Sequence, residues 1–229
     1  MSSAGERRIY CTGELADSLA EIEIFPIASV LADYFGSLSD ARLELRTKSN
    51  RVAALLEAKH NGNTTVAFSI SPQSQIDLSE PGTASLAERL AAAKQCQQAG
   101  YPVAFKFEPV IVTNDWQTQY TRAIEEICTK LEISGIEHVS VGCLRWSRQL
   151  MSTSTFSKHH RATIEGGAWI EYRPGIFNGT LPMSRRIEVY EWMQSILRQN
   201  GIAAPIWWSL EEPVLITKMA ENQPRNLSQ

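Results

Sequence analysis

From residue 40 to 145 the chain alternates short apolar runs with longer stretches in which apolar positions recur at helical spacing. Residues 43–48, 64–69, 103–112 and 137–144 have the length and the β-branched or aromatic content of strands. Residues 86–98 are rich in Ala, Leu, Gln and Glu, all strong helix formers. Ser85-Leu-Ala-Glu88 before them is a capping box, in which serine oxygen and glutamate carboxylate satisfy orphan amide groups. Gly100 stops that helix and Pro102 prevents its continuation. Segments 50–59 and 116–131 read as helices that end before Asn61-Gly62 and Gly135. Repeated strand–helix–strand order predicts an α/β fold, a parallel sheet covered by helices.

Strands of such sheets tend to be apolar throughout, because both faces are buried. Several here instead finish on polar residues: Thr47-Lys-Ser49, Ser69-Ile-Ser71, Lys106 with Glu108, and Gly142-Cys-Leu-Arg145. In parallel α/β folds the C-terminal strand ends face the ligand crevice, so one rim collects polar groups from four strands. The plainer alternative is that solvent begins at each strand end. Beyond Arg145 the character changes. Residues 147–163 are rich in Ser and Thr, include Lys158-His-His-Arg161, and read as a long loop. Residues 184–200 read as a helix capped by Ser184 and stopped at Gly201. Residues 145–200 hold eight basic and four acidic residues, a balance of +4 in a chain whose net charge is −3. The acidic whole argues against a non-specific nucleic-acid binder, while the tract is able to meet a few phosphates.

Composition narrows the class. The chain of 229 residues is 43% hydrophobic and 21% charged, as a folded globular domain is. No run approaches the roughly 18 apolar residues that span a bilayer. The first residues lack the apolar stretch of a signal peptide, so no membrane partner and a cytoplasmic location are expected. Cys11, Cys96, Cys128 and Cys143 form neither a disulfide framework nor a C-x-x-C motif, and free thiols are expected. The sequons at Asn63, Asn178 and Asn226 are read as chance. His159 and His160 are adjacent, which suits a surface loop pair better than a zinc site. Neither a phosphate loop nor a dinucleotide fingerprint occurs. Cys11 stands out because it sits where an apolar run meets small and polar residues, in Arg8-Ile-Tyr-Cys-Thr-Gly-Glu-Leu-Ala-Asp-Ser-Leu19. A thiol at such a strand end can act as nucleophile or hydrogen donor; taken alone, a buried structural cysteine is the alternative.

The stretch from Cys11 to Leu19 resembles a strand segment of the spore photoproduct lyase family. Leu43-Glu-Leu-Arg-Thr-Lys-Ser49, His60-Asn-Gly62, Phe68-Ser-Ile-Ser-Pro72 and Glu80-Pro-Gly-Thr-Ala-Ser-Leu-Ala-Glu-Arg-Leu90 follow in the family's order. Ala99-Gly-Tyr-Pro-Val-Ala-Phe-Lys-Phe-Glu-Pro109 and Val141-Gly-Cys-Leu-Arg-Trp146 continue it, so that the resemblance runs from residue 8 to about 212. It implies a radical SAM protein with a partial parallel (β/α) barrel, here lacking the first strand. On that view residues 1–229 are one domain. The barrel occupies about 8–146, a substrate-side extension about 147–220, and a frayed tail 221–229.

The resemblance also implies chemistry. Family members hold a [4Fe–4S] cluster on a C-x3-C-x2-C loop, bind S-adenosylmethionine on its open iron, and split the thymine lesion of UV-damaged DNA. Cys11 resembles the cysteine that returns a hydrogen atom to the product radical. Lys48 matches a lysine that pairs with the cofactor carboxylate, and Ser69, Gly13 and Glu14 match positions near its amino group. Tyr172 resembles the tyrosine of an Arg-Tyr pair that contacts the lesion. Glu171 stands where the family has arginine, and Arg173 is the nearby substitute. No C-x3-C-x2-C occurs. The chain alone is therefore expected to hold no metal and to be inactive, as the product of a truncated gene, of a wrongly placed start, or as one half of a split protein whose separately encoded N-terminal segment carries the cluster. An open sheet edge is expected with it. The competing reading is a non-catalytic barrel relic that binds nucleic acid or a partner through residues 145–200. A third, an unrelated α/β enzyme, sits poorly with the ordered resemblance.

Overall fold

A computed structural model describes residues 7–13, 16–152, 158, 160–161, 166–173, 175–209 and 211–221. Strand β1 (Arg8–Thr12) leads to helix α1 (Ile27–Gly36), followed by β2 (Ala41–Thr47), α2 (Ala53–Leu56), β3 (Thr64–Ser69), α3 (Gln73–Ser79) and α4 (Leu86–Gln98). Then come β4 (Val103–Val110), α5 (Trp116–Lys130), β5 (Ile136–Cys143), β6 (Arg145–Trp146), α6 (Arg148–Met151), β7 (Ala168–Arg173) and β8 (Ile176–Thr180). Helix α7 (Met183–Gln199), β9 (Ile206–Trp208) and α8 (Pro213–Glu221) complete the described chain. Six strands pair in the order β1-β2-β3-β4-β5-β9, all parallel, and β6-β8-β7 form a separate antiparallel sheet. This is the expected partial (β/α) barrel.

Side chains alternate across each strand, and the register keeps the two faces separate through the sheet. One face carries Leu43, Leu45, Val66, Phe68, Val103, Phe105, Phe107, Val139 and Val141, buried under the helices as the core. The other carries Cys11, Glu44, Arg46, Thr65, Ser69, Lys106, Glu108, His138 and Ser140, placed by the pairings Cys11↔Glu44, Glu44↔Thr65, Ser69↔Lys106 and Lys106↔Ser140. That second face is concave. β2 and β5 lie three strand spacings apart, about 14 Å in a flat sheet. Yet Arg42 Nη1 is 2.6 Å from Glu137 Oε1, and Glu44 Oε2 is 3.3 Å from His138 Nε2. Only a sheet curled into a half-barrel brings those tips together.

The capping box forms as read: Ser85 Oγ accepts from the Glu88 amide, and the Glu88 carboxylate accepts from the Ser85 amide. Elsewhere tertiary contacts override local propensity. The segment expected to be helical over 50–59 is helical only at Ala53–Leu56. The Lys59 amide donates to Asp33, the Tyr101 hydroxyl donates to the Leu55 carbonyl, and Asn61 turns the chain with φ +47°. Ser184 is not a cap: the helix begins at Met183, with Pro182 before it and no side-chain cap. Proline supplies the required φ without needing a partner for an amide. His160 is buried, contrary to a surface pair, and His159 lies outside the described residues. The loop read from 147 opens with α6, whose Leu150 amide is capped by Ser147 Oγ. Beyond 209, α8 was not legible as a helix; its Leu215 and Met219 complete the core. Among the described residues no helix is long and apolar enough to cross a membrane.

Candidate functional site

The floor of the concave face is a run of charged side chains, each fixed by the next. Trp207 of β9 stacks on His138 of β5 at 3.7 Å, and His138 meets Glu44 of β2, both residues 2% exposed. Glu44 also accepts from Arg46 Nε at 2.7 Å. Burial works against the Glu44 carboxylate, but the adjacent His138 ring, the hydrogen bond from Arg46 and the charge of Lys106 prevail and hold its pKa down at about 2. Cys11, opposite Glu44 on the neighbouring strand, shares this face with Arg46, and the charges of Glu44, Arg46 and Lys106 all act on its thiol. Lys106 pairs with Glu108 at 3.2 Å, and Glu108 accepts from the Ser140 hydroxyl. Where β4 and β5 end, Glu108, Gly142, Arg145 and Ser209 line a cavity of about 300 Å3. The structure thus places Cys11 in a buried ionic network, on an edge strand where the residue itself remains exposed.

Above the floor, Lys48 and Ser69 stand at the C-terminal ends of β2 and β3. Lys48 Nζ is 2.8 Å from Glu80 Oε1, and the fully buried Arg89 is 2.5 Å from Glu80 Oε2. Arg89 also donates to the carbonyls of Ser69 and Ala84 and to the Thr83 hydroxyl. The Glu80–Arg89 spacing in the chain therefore ties the strand ends to α4, and burial of Glu80 is outweighed by its two cations, which lower its pKa. Lys48 borders a cavity of about 340 Å3 with Asp17, Arg51, Thr83 and Glu88. Gly13 borders a separate groove of about 400 Å3 with Phe25, Ile27 and Leu31. Glu14 lies outside the described residues. Gly13 has φ +83°, and a Cβ there would sit 2.6 Å from the Arg46 carbonyl oxygen, so backbone geometry alone requires glycine.

One organising residue escaped the sequence reading. Asp17 accepts from the amides of Leu19 and Ala20, from the Thr47 hydroxyl and from the Lys48 amide. It clamps the loop after β1 onto the end of β2 that carries Lys48. Its local signal was present, since an aspartate two and three residues before the amides it caps is an Asx-type turn. The role of Arg46 and Glu44 carried no local signal, because it depends on a contact between strands.

On the far side, Glu211 is buried between Arg186 and Arg145, and accepts from the Tyr190 hydroxyl at 2.5 Å. Arg186 also meets Glu212 at 2.7 Å. This knot joins α7 to the strand ends of the barrel. The β7–β8 hairpin exposes Trp169, Ile176 and Phe177, with the Arg148 guanidinium 5.3 Å from the Trp169 ring. Tyr172 and Arg173 lie on β7 of this hairpin; their side chains are outside the described set. Glu171, the departure from the family pattern, accepts from the Gly175 amide at 2.8 Å and closes the hairpin turn.

Three comparisons bear on this arrangement. Residues 18–152 match the family model described as spore photoproduct lyase. The spore photoproduct lyase of Geobacillus sp. (strain Y412MC61) is 36% identical over 100 residues, 44% of this chain and 29% of the relative. That of Bacillus subtilis (strain 168) is 37% identical over 95 residues, 42% and 28% of the two chains. Among solved structures, a cysteine-to-alanine variant of spore photoproduct lyase superposes with a TM-score of 0.81 at 22% identity, covering 90% of this chain and 63% of that one. A second variant, with bound AdoMet and dinucleoside spore photoproduct, gives 0.78 at 23%, covering 89% and 62%. At that identity the structures speak for the fold. The chain spans less than two thirds of the solved relatives' length.

Proposed function

The chain belongs to the spore photoproduct lyase family, and from that premise we propose that it forms the part of a radical SAM lyase barrel that presents a hydrogen-donating thiol and receives UV-damaged DNA. The observation that carries this reading is the polar concave face, where Cys11 shares one network with Arg46, Glu44 and Lys106. Parallel sheets seldom bury so many ionisable groups without a use for them.

The residues divide the work by position. Lys48 would meet the carboxylate of S-adenosylmethionine, and Ser69 with the Gly13–Glu14 turn its amino group. Lys48 suits that role because it is one-third exposed, and Glu80 keeps Arg89 as a partner if Lys48 turns to a ligand. When bound, the cofactor supplies the radical that takes a hydrogen atom from the lesion. Cys11 then gives a hydrogen atom to the product: its S–H bond breaks, a C–H bond forms, and an unpaired electron remains on sulfur. Tyr172 and Arg173, on the hairpin that exposes Trp169 and Phe177, would contact the DNA.

The [4Fe–4S] cluster does not fit this chain's own residues. Among the described residues no three His, Cys, Asp or Glu side chains could hold a metal, and the four cysteines sit on separate elements. The reading therefore includes a segment bearing C-x3-C-x2-C that completes the barrel. Among the described residues β1 pairs with β2 alone. Tyr10, Ile24, Phe25, Ile27, Val30 and Tyr34 beside it are 49–71% exposed, an unusual apolar surface for an edge strand and its helix. The expected place of action is the cytoplasm, with residues 1–229 working as one domain.

A second reading, a DNA-binding module without chemistry, is favoured by the exposed aromatic hairpin. One experiment separates the two. Anisotropy of a labelled duplex carrying spore photoproduct should show tighter binding than the undamaged duplex, weakened by salt and by Trp169→Ala. Adding a polypeptide with C-x3-C-x2-C, iron and S-adenosylmethionine without oxygen should release thymines, and Cys11→Ala should abolish release. Binding without release supports the module. No binding at low salt overturns both readings, and equal binding to both duplexes without release overturns the lyase reading.

A further inference from the structure

The family resemblance accounts for Cys11 but assigns nothing to the charged residues around it. β1 and β2 are parallel with Cys11 opposite Glu44, so the two side chains emerge side by side on the concave face. Arg46, two residues on, shares that face beside Cys11 and bonds Glu44 through Nε at 2.7 Å. Glu44 is pinned from across the barrel by His138, itself stacked on Trp207. The thiol thus ends a chain of contacts running from β9 through β5 and β2 to β1.

We propose that Arg46 and Glu44 are a positioning pair for Cys11: the two flank the thiol on the concave face, and Glu44 fixes Arg46 and balances its charge beside the thiol. This rests on the reading of Cys11 as hydrogen donor. A donor of a hydrogen atom must keep its S–H bond, and a thiolate has no such hydrogen to give. Cations beside a cysteine favour the thiolate. Arg46 from β2 and Lys106 from β4 both act in that direction on Cys11, and Glu44 is the anion that opposes them. Glu108 bears on Arg46 from β4. The balance falls on the thiol side: partial desolvation, then Glu44, raise the Cys11 pKa against the pull of Arg46 and Lys106. Without Glu44, Arg46 would draw the cysteine toward its inert form for this step.

The test is the rate of iodoacetamide alkylation at Cys11 as a function of pH, read by peptide mass spectrometry on the 229-residue chain. Glu44→Gln should speed alkylation near neutral pH by about tenfold, the equivalent of one pKa unit. Arg46→Met should slow it, and Arg46→Lys should restore much of the wild-type profile. The double variant E44Q/R46M should lie near wild type, because it removes both members of a balanced pair. Thermal denaturation of each variant identifies any that fails to fold; the Arg46→Lys and double variants then carry the comparison. Shifts in the same direction for E44Q and R46M, or no shift in either, would overturn the pairing. Alkylation is independent of repair, so loss of the donor reading through an active Cys11→Ala enzyme would be seen separately.

Discussion

Removing the Asp17 carboxylate should loosen the rim where Lys48 stands. In Asp17→Ala four donors lose their acceptor: the amides of Leu19, Ala20 and Lys48 and the Thr47 hydroxyl. Ala20 is exposed and water replaces its bond at little cost. Leu19 and Thr47 are buried and Lys48 is half-buried, so three donors are left short of a partner at about 1 kcal/mol each. The expected loss is about 3 kcal/mol, a fall in Tm of about 6–12 °C for a chain of this length. Asp17→Asn is the more discriminating change. It keeps one oxygen for the Oδ1 donors but sets an NH2 group against the Lys48 amide, for a loss of about 1–2 kcal/mol. Urea unfolding followed by tryptophan fluorescence measures both. A change within about 0.5 kcal/mol for Asp17→Ala, the range of an ordinary surface substitution, would refute the clamp. So would an asparagine variant less stable than the alanine one.

Four further outcomes follow from the same geometry. Gly13→Ala should cost about 1–3 kcal/mol in chemical denaturation, since alanine at φ +83° is strained and its Cβ meets the Arg46 carbonyl. Glu80→Gln should cost about 3–5 kcal/mol because it leaves the fully buried Arg89 without an anion. Lys48→Met should cost about 1 kcal/mol or less, because Glu80 retains Arg89; equal losses for the two in thermal melts would refute the asymmetry. Glu44 has a folded pKa of about 2 against an ordinary 4.5, so the folded state holds fewer protons. Its contribution, on the order of 3 kcal/mol, is full above pH 4.5 and is lost as pH falls toward 2. Glu44→Gln should flatten part of that acid limb, the remainder belonging to Glu80, whose pKa is lowered in the same direction.

Much of the fold was legible because it depends on short-range rules. The strand at 64–69 and the helix at 86–98 have the bounds their composition and capping box imply. Local rules failed where a distant residue made the competing bond. Tyr101 and Asp33 shorten the helix expected at 50–59, and Pro182 displaces Ser184 as the start of α7. The candidate site was half legible. Its polar residues were visible as strand ends, yet Glu44, Arg46 and His138 lie within strands and line the face along its length.

The linear chain alone carried the parallel α/β order and the family, and through that resemblance it offered Cys11, Lys48 and Ser69 as candidates. The order follows from periodicity and capping, and the family from ordered motifs, each contained in a few consecutive residues. The curl of the sheet belongs to the folded molecule, and with it the path from Trp207 through His138, Glu44 and Arg46 to Cys11. The difference is one of range. Alternation tells which face a side chain takes, but contact between strands far apart in the chain depends on sheet curvature, which no single strand encodes.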